Sequence, residues 1–183
     1  MARPARDNIP VVVLWSLCIT GSLATGDMQR PKQLVSGRLG STRNVHAYGS
    51  TLMCGQPSAE DLIEAKKRGF QIVVSLRQPD EIDWNEAETV RGLGMEFLSF
   101  PFQAPDALTD QIFDKTRNIL TNSKKKHVLL HCGSANRVGA IWLSHRVLDH
   151  GLTLEKALKE AKTVGLRTEA FRDKAIDYIK RRQ

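Results

Sequence analysis

Cysteine is scarce in this chain: Cys18, Cys54 and Cys132 are the whole supply in 183 residues. Long apolar runs are missing as well. The best of them, Ile9 to Ile19, is interrupted and falls short of the roughly 20 residues a membrane-spanning helix needs. The five histidines (His46, His127, His131, His145 and His150) show no metal-ligand spacing with the cysteines, so neither a metal nor another cofactor is expected. Aromatic and basic residues do not interleave, and no nucleic-acid-binding motif occurs, which argues against a DNA or RNA partner. No internal repeat and no shift in composition marks a second domain.

What remains is an ordinary globular composition, 41% hydrophobic and 26% charged, behind a distinctive leader. Arg3 and Arg6 form a positive start, Ile9 to Ile19 an apolar stretch, and Ser22-Leu23-Ala24 a small-residue cleavage site. Residues 1–24 therefore read as a signal peptide, with the mature chain secreted or periplasmic from about Thr25. Contact with a membrane is expected only if this segment stays uncleaved. The polar, aperiodic stretch 25–43 reads as a flexible arm, and the folded domain as 44–183. The net charge of +7 suits an anionic substrate or a merely solvated basic surface.

The chemistry concentrates between His127 and Ala140. Val128, Leu129 and Leu130 form a continuous apolar run, as a buried strand does. His131 and Cys132 end it, the small residues Gly133, Ser134 and Ala135 follow, and then come Asn136 and Arg137. Helical spacing of Val138, Ile141, Trp142 and Val147 takes over beyond them. A strand, a tight loop and a helix start bring backbone N–H groups together on an anion. A cysteine at the mouth of that loop is stabilised as thiolate, the nucleophilic form. His131 is placed to orient the loop and tune the thiolate. Gly133, Ser134, Ala135 and Asn136 offer backbone donors, Asn136 also a tolerance of left-handed backbone, and Arg137 a planar fork for two phosphoryl oxygens.

Elsewhere strands and helices alternate. Short strands are expected at Val45 to Tyr48 and Leu52 to Cys54, and a helix capped by Ser58 with Asp61 in the capping-box position. Phe70 to Leu76 reads as a buried strand, Asn85 to Leu93 as a helix and Met95 to Phe102 as a strand. Helices are expected from Thr109 to Asn122, over 153–164 and over 168–181. The expectation is an α/β sandwich whose mostly parallel central sheet is flanked by helices.

The loop 131–140 resembles that of the cysteine-dependent tyrosine and dual-specificity phosphatases. Together with Cys54-Gly-Gln-Pro-Ser-Ala-Glu-Asp-Leu62, Val73-Val-Ser-Leu-Arg77 and Gly94-Met-Glu-Phe97, it is similar to the phosphatase-like domain family of beta-lactamase-hydrolase-like proteins. That resemblance implies a phosphatase-like domain over 44–183 acting on a phosphorylated small molecule or phosphoprotein. It implies a phosphocysteine on Cys132, and a leaving-group acid on the loop before the helix at Thr109. Asp106 is that candidate, set against a role capping the helix; Asp110 is the reserve. Arg77 and Glu81 match a pair read as a salt bridge beneath the loop, and Gln56 either lines the site or builds its turn. Two features depart from classical phosphatases: four residues, 133–136, separate Cys132 from Arg137 instead of five, and Val138 replaces Ser or Thr. Both fit a rhodanese-type sulfurtransferase carrying a Cys132 persulfide, and the loop alone also fits a weakly catalytic anion-binding module. Cys54 reads either as core filler or as the partner of a reversible disulfide with Cys132.

Overall fold

The computed structural model describes residues 31–123 and 126–183. The expected signal peptide, 1–24, lies outside the described residues. Six strands form one sheet: β1 (Val35–Ser36), β2 (His46–Tyr48), β3 (Thr51–Cys54), β4 (Phe70–Ser75), β5 (Glu96–Ser99) and β6 (His127–His131). Their spatial order is β1-β2-β3-β6-β4-β5. The block β3-β6-β4-β5 is parallel, while β1 and β2 pair antiparallel at one edge. Helices α1 (Ala59–Lys67) and α2 (Glu86–Gly92) lie on one side. Helices α3 (Asp110–Asn122), α4 (Asn136–Leu148), α5 (Leu154–Val164) and α6 (Glu169–Arg182) cover the other.

The period of two along each strand sorts side chains into two cores. Met53, Ile72, Val74, Val128, Leu130 and Cys132 face α3 to α6. Leu52, Cys54, Val73 and Leu129 face α1 and α2, with Leu62, Ala65 and Val90 packed over them. Helix α4 is buried on nearly all sides, from Arg137 to Val147, because it runs between the sheet and the helices α5 and α6. Its buried polar residues reach partners on neighbouring segments or its own backbone: Arg137 on Glu81, Arg146 on Glu160, His145 on Asp149 and the Ser144 hydroxyl on the Ile141 carbonyl.

Helix α1 begins as its sequence dictates. Ser58 accepts from the Asp61 amide, and Asp61 reaches back to the Ser58 N–H. The same carboxylate also accepts from the Ser41 amide at 3.1 Å and the Thr42 hydroxyl at 2.7 Å. This contact bears on the stretch expected as a flexible arm. Residues 31–43 are described, and they hold β1, the fully buried Leu39 and this anchorage to α1. The chain is therefore ordered ahead of residue 44. Strand β5 is shorter than the expected Met95 to Phe102, because Pro101 has no N–H to continue a ladder.

Candidate active site

Strand β6 lies at the centre of the sheet, between β3 and β4, and delivers Cys132 to its carboxyl end. This is the edge of a parallel sheet where ligand sites gather. Cys132 is 1% exposed. The loop behind it is braced from both sides. The Gln56 amide donates to the Gly133 carbonyl at 3.4 Å, and Asn44 Nδ2 donates to the Ser134 carbonyl at 3.0 Å.

Ala135 makes the turn into α4 with φ 64° and ψ 3°, left-handed backbone that costs a non-glycine residue about 1 kcal/mol. The sequence offered Asn136 as a residue able to take that conformation. Asn136 is instead the first helical residue, and its side chain binds outward: Oδ1 accepts from the amides of Arg167 (2.9 Å) and Thr168 (3.2 Å). No side chain caps α4 at Ala135. Its first-turn amides, which have no acceptor within the helix, are left for a ligand.

Arg137 folds back under the loop. Its Nη1 and Nη2 donate to the two oxygens of Glu81 at 2.6 Å each, and Nη1 also reaches the carbonyls of Leu76 (3.1 Å) and Phe102 (2.8 Å). A Cβ built on Gly133 would sit 3.7 Å from Arg137 Nη2, so the guanidinium borders the loop interior. Burial works against its charge, but Glu81 and the Cys132 sulfur outweigh burial and hold its pKa above the ordinary value.

On the other face of the sheet, His131 is fully buried with Nε2 3.2 Å from Glu86 Oε1. Burial lowers its pKa, and Glu86 opposes the fall. Glu86 accepts from Gln56 Nε2 at 2.6 Å, and Gln56 Oε1 accepts from Arg77 Nη1 at 2.7 Å. Arg77 Nη2 donates to the Glu81 carbonyl, closing a chain of polar contacts from His131 to Arg137. Gln56 thus joins two carboxylate–cation pairs rather than merely shaping a turn. Arg77 does pair with Glu81, with Nε 3.4 Å from Oε2, yet the stronger partner of Glu81 is Arg137.

Asp106 stands apart from this cluster. It is exposed in a 3-10 turn, Pro105–Ala107, four residues after the carbonyl of Phe102 that receives Arg137. It does not cap α3: the N-cap is Thr109. Asp110, the reserve acid, pairs with Arg181 at 2.6 Å on the surface. Cys54 and Cys132 are both free and belong to the two opposite cores. Burial, with Cys132 nearby, pushes the Cys54 thiol well above its ordinary pKa.

Two residues of the site carried no local signal. Glu86 looks like any acidic residue in a helix first turn, and Arg167 like any surface cation before a helix. Arg167 in fact donates through Nη2 to the Ser134 hydroxyl at 2.6 Å.

The Glu81–Arg137 pair has a consequence for acid stability. Hydrogen bonds from Arg137 hold the Glu81 pKa near 2, against an ordinary 4.5. A carboxyl lowered on folding adds stability that is complete above about pH 4.5 and is lost as pH falls towards 2. With the side chain 18% exposed, this is about 2–3 kcal/mol. Asp149 adds to the same limb, because His145 and Arg117 overcome its burial and lower it to about 2. Urea unfolding followed from pH 6 to pH 2 should therefore lose stability steeply below pH 4.5, and less steeply in Glu81→Gln. Equal slopes in the two proteins would show that Arg137 does not hold Glu81 charged.

No family model matches the chain, and no curated protein matches it in sequence. Solved structures do match. Tk-PTP in its active form superposes with a TM-score of 0.63 at 23% identity, over 73% of this chain and 93% of that one. A cysteine-to-serine form of Pseudomonas aeruginosa TpbA in complex with phosphotyrosine gives 0.64 at 18%, over 82% and 90%. Kinase associated phosphatase, with its catalytic-site cysteine changed to serine, gives 0.64 at 14%, over 72% and 86%. The mixed sheet and its helical layers are thus the fold of the protein-tyrosine-phosphatase-like cysteine phosphatases.

Proposed function

We propose that the chain is an exported cysteine-dependent phosphatase acting on a phosphate monoester through a phosphocysteine. The observation that carries this reading is the placement of Cys132 and Arg137 around the open N-terminus of α4. The Cys132 thiolate attacks phosphorus, an S–P bond forms, and the ester P–O bond breaks with its electron pair leaving on oxygen. Asp106 gives that oxygen its proton. A water then attacks phosphorus and loses its proton to the Asp106 carboxylate, while the S–P bond breaks and returns the thiolate.

The loop amides and the Arg137 fork stabilise the equatorial oxygens, where most of the rate enhancement arises. The Arg137 fork is pre-set by Glu81 and two carbonyls, so little reorganisation is needed when phosphate arrives. His131 is a positioning residue: it faces Glu86, on the other side of the sheet from Cys132. Export rests on the leader's charge and cleavage pattern.

One preparation of exported protein tests both parts. It should release phosphate from para-nitrophenyl phosphate and form no thiocyanate from thiosulfate and cyanide. Its N-terminal sequence should start near Thr25. Thiocyanate formation without phosphate release would make it a sulfurtransferase, as the four-residue loop allows. Turnover of neither would leave an anion-binding module, and an intact Met1 would remove the export claim.

A further inference from the structure

We propose that a cleft beside the Cys132 loop binds a second phosphate group, so that the preferred substrate is a bisphosphate. The inference builds on the reading of the 132–137 loop as a phosphate site. The cleft, of about 150 Å³, lies between the end of α5 and the start of α6 and is lined by Lys162, Leu166, Arg167, Thr168, Glu169 and Arg172. Arg172 is already paired with Glu169 (3.3 Å) and Asp173 (2.8 Å). Lys162 and Arg167 have no carboxylate within ion-pair distance among the described residues. The charge of Arg137 is matched by Glu81, whereas Lys162 and Arg167 bring unmatched positive charge to the side of the loop that faces α5 and α6.

Their position relative to the loop is fixed. Arg167 is tied to it through its side chain on Ser134 and its amide on Asn136, and Asn136 Nδ2 binds Thr168 Oγ1 at 2.8 Å. The backbones meet closely enough to require glycine. A Cβ on Gly139 would lie 2.7 Å from Leu166 Cβ, and one on Gly165, at φ 144°, would lie 3.0 Å from Ala135 Cβ. Two anion sites held at a constant separation select for length as well as charge. An exposed cation adds only a few-fold each to phosphate binding, so the pair should give about tenfold.

The experiment uses α,ω-alkanediol bisphosphates of two to six carbons, each against its monophosphate. Binding is measured by calorimetry on Cys132→Ser protein and hydrolysis on the wild type. One chain length should bind about tenfold tighter than its monoester, with weaker binding on either side of it. Lys162→Ala should lower that preference about threefold, and Lys162→Ala with Arg167→Ala should erase it. Lys156→Ala removes the same charge two turns away on α5 and should preserve the preference. A flat length series, a preference that survives the double substitution, or an equal loss in Lys156→Ala would overturn the second site. If the wild type hydrolyses neither ester while the binding preference persists, the phosphatase reading fails and the cleft stands.

Discussion

Cys132→Ser should fold normally and lose at least about 10³-fold in turnover of an aryl phosphate. The replacement is nearly isosteric inside a closely packed site, so the unfolding midpoint should move by only a few degrees. The chemistry has no such tolerance. Sulfur is a far better nucleophile towards phosphorus than oxygen, and a serine hydroxyl needs a base to take its proton before it can attack. None is at hand. His131 is the adjacent residue in sequence, but strand alternation turns it to the opposite face, where it meets Glu86 at 3.2 Å. Steady-state rates and thermal melts on the same sample check both halves of this expectation. Turnover above about 1% of wild type, well outside the expected loss, would take Cys132 out of the mechanism.

The second large effect concerns protonation of the leaving group. Asp106→Asn should slow hydrolysis of an alkyl phosphate by about 10²–10⁴-fold. The loss should be much smaller for para-nitrophenyl phosphate, whose phenolate departs with little help. Stability should hardly change, because Asp106 is exposed and the cap of α3 is Thr109. Comparing kcat across esters of graded leaving-group pKa makes the distinction. A wild-type line that is flat, and a variant line that falls steeply with leaving-group pKa, identify the acid. Parallel lines would assign that proton to another donor. Sulfur transfer has no alkoxide to protonate and would be indifferent to the change.

What the sequence disclosed depended on how local the signal was. The 131–137 segment was readable because strand end, cysteine, loop and arginine are contiguous, and each residue type has its own chemical reason to be there. Helix α1 was readable because Ser58 and Asp61 cap it from within four residues. Strand β1 was not. Both its residues are exposed, and its only reason to be extended is the partner strand ten residues later. Glu86 and Arg167 were hidden for a similar reason: their roles lie in residues 45 and 33 positions away, His131 and Ser134. A lone charged residue has an adequate surface explanation until the fold brings its partner near. Ala135 is the instructive miss. Asn tolerates left-handed backbone better than Ala, yet Asn136 is needed as the bracket for the 167–168 amides, and the strain falls on its neighbour.

The sheet order has a consequence for synthesis. β6 is the last strand in the chain and occupies the middle of the sheet, between β3 and β4. Until residue 131 has been made, β1-β2-β3 and β4-β5 are separate ribbons, and each presents a bare parallel edge to the gap. Such edges pair readily with strands from other chains. Closing the gap requires contacts across more than fifty residues, from β4 to β6, which is slow compared with forming a helix. A ribosome-bound fragment is therefore at its most adhesive just before the final third emerges, and chaperone demand should peak there. Arrival of β6 then seals both edges at once and completes the surroundings of Cys132 in the same event. A chain cut short before that point lacks Cys132 and its loop and keeps both sheet edges bare.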